Sequence, residues 1–138
     1  MLNFHRNIGT PVVLDKADEM GLLYYEEPGS FHSGTHDPFI RTILREKVFR
    51  MIKRDRSHPS LIIYNMINEF GGRLSKDKEL VAKRFEDMRD AHAIDPSRTI
   101  TFTSGWANKK DALEDSKAHF RPFDTKLYMN GWFDNHRA

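Results

Sequence analysis

An α/β fold, with parallel strands alternating with helices, is predicted by three features of this 138-residue chain. Strand-like runs begin near residues 22, 61 and 99. They stand about 38 residues apart with a helical pattern in each gap, which is room for a strand and its crossover helix. The run LIIYNMINE at 61–69 is almost continuously apolar, as a strand covered on both faces must be. Two helical patterns open with a capping residue followed by proline, Thr10-Pro11 and Asp37-Pro38.

The elements follow in order. MLNF at the start is short and apolar and suits the tail of an earlier strand. A helix is expected over 10–21, with Val13, Leu14, Ala17 and Met20 on one face and Gly21 at the left-handed C-terminal position. LLYYEE, 22–27, is the first clear strand, and Pro28-Gly29 opens the loop GSFHSGTH. Asp37 then caps a helix whose apolar stripe is Phe39, Ile40, Ile43, Leu44, Val48, Met51 and Ile52. The strand at 61–69 is broken by Gly71-Gly72. A helix over about 76–93 turns Leu80, Val81, Phe85 and Met88 inward, and Asp95-Pro96 closes it. TITFTS, 99–104, is the next strand; a short helix at 110–118 and a strand at 126–129 complete the pattern. There is no linker or low-complexity stretch, so residues 1–138 read as one unit.

Composition narrows the classes of function. The chain carries 22 Lys and Arg against 20 Asp and Glu, evenly mixed, which disfavours a nucleic-acid partner. The most basic stretch, Arg45 to Arg56, is interrupted by Glu46 and Asp55 and reads as a solvated helix face. There is no cysteine, so thiolate metal sites and disulfides are excluded and the compartment stays open. No apolar run approaches the roughly 20 residues that cross a bilayer, and no signal peptide is read at Met1. A periplasmic, secreted or cytoplasmic parent protein is compatible with this. No phosphate-binding glycine loop follows a strand, and no HExxH stands among the seven histidines. His32 and His36 lie in a Gly/Ser loop and are not read as metal ligands, so neither metal nor cofactor is expected.

In parallel α/β folds the ligand sits beyond the carboxyl ends of the strands. The residues at those ends are His5 and Arg6, then Glu26 and Glu27, then Asn68 and Glu69, then Ser104 to Trp106, then Asn130 to Trp132. Acids, amides and indoles converge there. Carboxylates handle protons, amides bind hydroxyls, and Trp106 and Trp132 offer faces on which a pyranose can stack. A carbohydrate partner is therefore expected.

RDRSHPSLIIYNMINE, 54–69, resembles the signature of glycoside hydrolase family 2, the family of the β-galactosidases and β-glucuronidases. That signature is an Arg-Asp-Arg/Lys-Asn-His-Pro-Ser run, an apolar strand, then Asn-Glu. Here Ser57 replaces the Asn and Tyr64 the strand's usual Trp. ADEMGLLYYEEPG, 17–29, resembles the family's strand ending in Asp-Glu, with Glu26-Glu27 at that position. DPSRTITFTSG, 95–105, resembles the approach to the family's fifth strand, and LYMNGWF, 127–133, is similar to a later one but out of register.

The resemblance implies a partial TIM (β/α)8 barrel, roughly strands two to six, as a single catalytic-domain fragment. It implies a retaining β-glycosidase in which Glu69 is the general acid/base and Asn68 bonds the sugar's 2-hydroxyl. His5, Arg6, Glu26, Glu27, Trp106 and Trp132 are the further substrate-binding candidates. The nucleophile of the family comes from strand seven, which these residues do not reach. A non-catalytic carbohydrate-binding or structural remnant of such a barrel is the alternative. A sheet lacking its neighbours exposes edges, so self-association through them is expected if the chain folds alone.

Overall fold

The computed structural model describes residues 1–29, 37–68 and 77–101. The expected helix at 110–118, the strand at 126–129, His32, His36, Glu69, Trp106 and Trp132 lie outside the described residues. Within them the order is β1 (Leu2–Asn3), α1 (Pro11–Met20), β2 (Tyr24–Glu26), α2 (Pro38–Asp55), β3 (Leu61–Asn65), α3 (Lys78–Ile94) and β4 (Thr99–Thr101). The four strands form one parallel sheet in sequence order, β1-β2-β3-β4. This is the expected alternation, and the fold is that of consecutive units of a partial TIM barrel.

Local chemistry sets the helix ends. Proline opens both α1 and α2, and the Asp37 carboxylate accepts the N–H groups of Phe39 and Ile40. Asp77 caps α3 by accepting the Leu80 N–H. Gly21 ends α1 at φ 66°, a left-handed conformation in which its N–H bonds back to the last turn.

Strand register sorts side chains between two faces. Tyr24, Tyr64 and Ile100 turn to the helices and pack with Leu14, Ala17, Val48 and Met88. Glu26 is opposite Tyr64 and so shares that face. Asn3, Tyr25, Ile63 and Thr99 are aligned across the sheet on the other face, with Asn65 and Thr101 one step further along. An irregularity between Tyr24 and Tyr25 lets Leu61 and Tyr64 both reach the helix side.

Three apolar residues expected in the core are exposed: Met20 (68%), Phe39 (71%) and Ile43 (40%). They sit on helices longer than the sheet they cover. The 18 residues of α2 extend about 27 Å at 1.5 Å each, whereas β2 has three residues, so part of the stripe overhangs the core. The strand expected over 61–69 stops at Asn65. Its Nδ2 donates to the Ile67 carbonyl at 3.0 Å, which turns the chain out of the ladder while Met66 and Ile67 remain buried.

Candidate active site

The strand ends present two different environments for two adjacent acids. At the end of β1, Arg6 takes a left-handed φ of 57°, and its N–H donates to Glu27 Oε2 at 2.9 Å. A non-glycine residue holds that conformation only where its surroundings fix it. The Tyr25 hydroxyl accepts from Asn3 Nδ2 and hydrogen-bonds to the Glu27 carboxylate. Burial, then that carboxylate, pushes the phenol pKa of Tyr25 up. Glu27 is fully buried and ties β1 to β2, whereas His5 and Arg6 are exposed at the rim.

Glu26 goes the other way. Its carboxyl lies under the helices, where Oε1 accepts the Gly9 N–H at 2.8 Å and stands 3.5 Å from Nη2 of Arg54. The backbone must come this close: a Cβ on Gly9 would sit 3.1 Å from that oxygen and 2.8 Å from the Phe4 ring. Strand alternation therefore separates the pair that looked like one site in the sequence, Glu26 under the helices and Glu27 toward the opposite face of the sheet.

At the end of β3, Asn65 Oδ1 accepts the Thr101 hydroxyl at 2.9 Å, and Met66 N–H donates to the Thr101 carbonyl at 3.0 Å. These bonds hold the segment that carries Asn68, which is 1% exposed and immediately precedes Glu69. Asn3, Tyr25, Asn65 and Thr101 were not singled out in the sequence. For Asn3, Tyr25 and Thr101 a signal was available, since a polar residue stands two positions away in each case (His5, Glu27, Thr99); Asn65 lies between Ile63 and Ile67 and gave none.

The long motif before β3 is largely a fastening. Arg54 grips Asp55 through bonds of 2.6 and 2.7 Å and donates to the Gly9 carbonyl at 2.5 Å. Asp18 accepts the Ser60 N–H at 2.8 Å and meets His58 Nδ1 at 2.7 Å. Burial opposes the Asp18 charge, but these partners hold its carboxyl below the usual range. Arg98 reaches the His58 carbonyl at 2.8 Å and pairs with Asp95, which also accepts the Tyr64 hydroxyl at 2.8 Å. Burial works against Asp95's charge too, yet bonds from Ser97, Arg98 and Tyr64 bring it down to about 2. Tyr64, where the signature carries Trp, thus adds a hydrogen bond to the packing.

The basic stretch Arg45 to Arg56 proves only partly solvated. Arg41 and Arg45 both bond Asp87 of α3, at 2.9 and 2.6 Å, and Arg45 also bonds Asp90. A cleft of about 280 Å³ opens beside this contact. Its lining, which includes Asp37, Arg41, Asp77 and Lys83, comes from the first turns of α2 and α3 and from no strand end. Among the described residues no cluster of His, Asp and Glu is arranged to hold a metal, and no helix is long and apolar enough to cross a membrane.

Residues 6–135 match the family profile described as "Glycosyl hydrolases family 2, TIM barrel domain". The chain is 32% identical to a β-galactosidase of Lactococcus lactis over 124 residues, which is 81% of this chain and 12% of that protein. It is 37% identical to a β-galactosidase of Thermoanaerobacterium thermosulfurigenes over 87 residues, 62% of this chain and 11% of that one. Among solved structures it superposes on a β-glucuronidase of Bacteroides uniformis with a TM-score of 0.62 at 27% identity, over 71% of this chain and 13% of the other. A family 2 glycosyl hydrolase of Bacteroides cellulosilyticus covers 90% of this chain and is itself covered to 16%, with a TM-score of 0.68 at 23% identity, a likeness of fold alone. The chain thus spans about an eighth of the length of these curated relatives.

Proposed function

Because the chain belongs to glycosyl hydrolase family 2, as part of its TIM barrel domain, we propose that it contributes the acid/base half of a retaining β-glycosidase site. Glu69 protonates the glycosidic oxygen and afterwards activates water, and Asn68 bonds the sugar's 2-hydroxyl as the transition state forms. The observation that carries this is the delivery of a buried Asn68 at the end of β3 by the Asn65–Thr101 bonds, directly before Glu69. Glu27 supports the rim on which His5 and Arg6 stand, and Trp106 and Trp132 supply stacking faces. Glu26, turned under the helices, binds no sugar in this reading.

Double displacement needs a second carboxylate about 5–5.5 Å from the first. Neither Glu26 nor Glu27 serves: one faces the helices, and the other is occupied by Arg6 and Tyr25. The nucleophile then comes from a strand beyond these residues, and the substrate is a β-galactoside or β-glucuronide, as in the named relatives. A panel of aryl β-glycosides incubated with the purified 138-residue chain and with Glu69→Gln tests this. No turnover above the variant is expected. Turnover that vanishes in Glu69→Gln would put a nucleophile within these residues or on a partner copy. Turnover that survives the substitution would remove Glu69 from the chemistry.

Leu2 (50%) on β1, Val12 (61%) on α1 and Leu23 (51%) just before β2 are exposed. In isolation the chain is expected to self-associate over the β1 edge, because unpaired strand edges and exposed apolar side chains recruit partners. Sedimentation velocity at micromolar concentration reads it, and a well-folded, strictly monomeric species would contradict it.

A further inference from the structure

Glu26 is a fully buried carboxyl that the proposed chemistry leaves unused, and it shares its site with a second one, Asp55, also fully buried. A single guanidinium serves both. Arg54 makes its two short bonds to Asp55 and stands 3.5 Å from Glu26 Oε1. That oxygen also accepts the Gly9 N–H, while Glu26 Oε2 has no hydrogen-bond donor.

Charge counting then decides the protonation. Two carboxylates and one guanidinium would leave a net negative charge on two fully buried carboxyls beside an Arg54 that is 43% exposed, and an uncompensated buried charge is costly. Among the described residues, Arg54 is the cation that acts on Glu26. The titratable neighbours whose shifts involve Glu26 include Tyr24 on β2 and Tyr64 on β3, phenols whose pKa is pushed up by burial first, so they bring no positive charge. Arg98, whose charge acts on Tyr64, is engaged with Asp95 and two backbone carbonyls. A proton is the remaining counter-charge, and the donor-less Oε2 is the atom that can carry it.

We propose that Glu26 is a neutral carboxylic acid at neutral pH that donates its proton to Asp55, and that this acid–carboxylate bond is a positioning contact. It fastens the end of β2, and with it Glu27, to α2, and through Gly9 it sets the turn that follows β1. The electrostatics agree. Burial first, then the Asp55 charge and hydrogen bond, push the Glu26 carboxyl up to about 8, against the opposing pull of Gly9 and Arg54.

The sign of the pH dependence follows. In the unfolded chain this carboxyl ionises near its ordinary 4.5, whereas the folded chain keeps the proton until about 8. Stability therefore falls as pH rises through that window and levels off above it. Glu26→Gln keeps an oxygen for the Gly9 N–H and gains an amide donor for Asp55, with nothing to titrate.

Urea midpoints of the 138-residue chain, taken from about pH 5 to about pH 9, test the proposal. The wild-type midpoint should decline across the window. The Glu26→Gln midpoint should be nearly flat and overtake the wild type at the alkaline end, while Glu26→Leu should be low throughout. In infrared spectra at neutral pH, wild type should show the carbonyl stretch of a buried protonated carboxyl, and Glu26→Gln should lack it. A Gln variant as pH-dependent as wild type, or the absence of that band from wild type, overturns the proposal. Neither readout involves hydrolysis, so failure here leaves the role of Glu69 untouched.

Discussion

Glu69→Gln, placed in a protein that carries these residues within a complete barrel, is expected to lower kcat/KM for unactivated β-glycosides by about 10²–10⁴-fold, the usual worth of a positioned proton donor. For aryl glycosides with strongly acidic phenols kcat/KM should change little. The reason lies in the first step. kcat/KM reports events up to cleavage of the glycosidic bond, and a phenolate that is stable as an anion leaves without a proton, whereas a sugar alkoxide does not. The second step differs, because Gln can no longer deprotonate the water that resolves the glycosyl-enzyme. With activated substrates kcat should therefore fall while KM falls with it, as the covalent intermediate accumulates. Equal losses of kcat/KM on good and poor leaving groups would assign Glu69 a binding role and remove the proton from the account.

The sequence made the strand–helix alternation legible because the signals there are local. Thr10-Pro11, Asp37-Pro38 and Gly21 are decided by backbone geometry within a few residues, and the structure places the helix ends at them. Periodicity also found Leu14, Val48, Met51 and Met88. It failed for Phe39 and Ile43, because the length of sheet beneath a helix is not written in the helix. It could not tell Glu26 from Glu27 either: adjacent residues on a strand face opposite sides, and which side is which depends on partners distant in sequence, Gly9 and Arg54 for one and Arg6 for the other. The family signature was legible as a motif, but the geometry divides its labour. Arg54, Asp55, His58 and Ser60 hold loops, carbonyls and a neighbouring helix, which fixes where β3 begins and so where Asn68 ends up.

Asp87 lies behind the largest expected loss of stability, and its importance was hidden because a charged residue inside a helical pattern reads as solvent-facing. It is fully buried on α3, and three guanidinium groups surround it: Arg41 at 2.9 Å, Arg45 at 2.6 Å and Arg84 at 3.6 Å. The side chains of Arg41 and Arg45 are 26% and 32% exposed, so water can take over much of what Asp87 gives them. Arg84 is different. Its side chain is 3% exposed, its Nε and Nη2 have no hydrogen-bond partner, and burial followed by the Arg41 charge lowers its pKa even with Asp87 present. Asp87→Ala leaves that guanidinium buried beside another cation, without the acid that among the described residues balances it. Removing one partner of a buried pair typically costs about 3–5 kcal/mol, and that is the loss expected in urea unfolding of the chain. Arg45→Ala removes a partly exposed partner and should cost about 1 kcal/mol or less. Replacing the buried pair together, Arg84→Met with Asp87→Leu, should recover most of the Asp87→Ala loss, since the desolvated charge goes with its partner. If Asp87→Ala costs no more than Arg45→Ala, or if the double replacement is as unstable as Asp87→Ala alone, the α2–α3 contact is held by its apolar residues, and the charges between the helices are incidental to it.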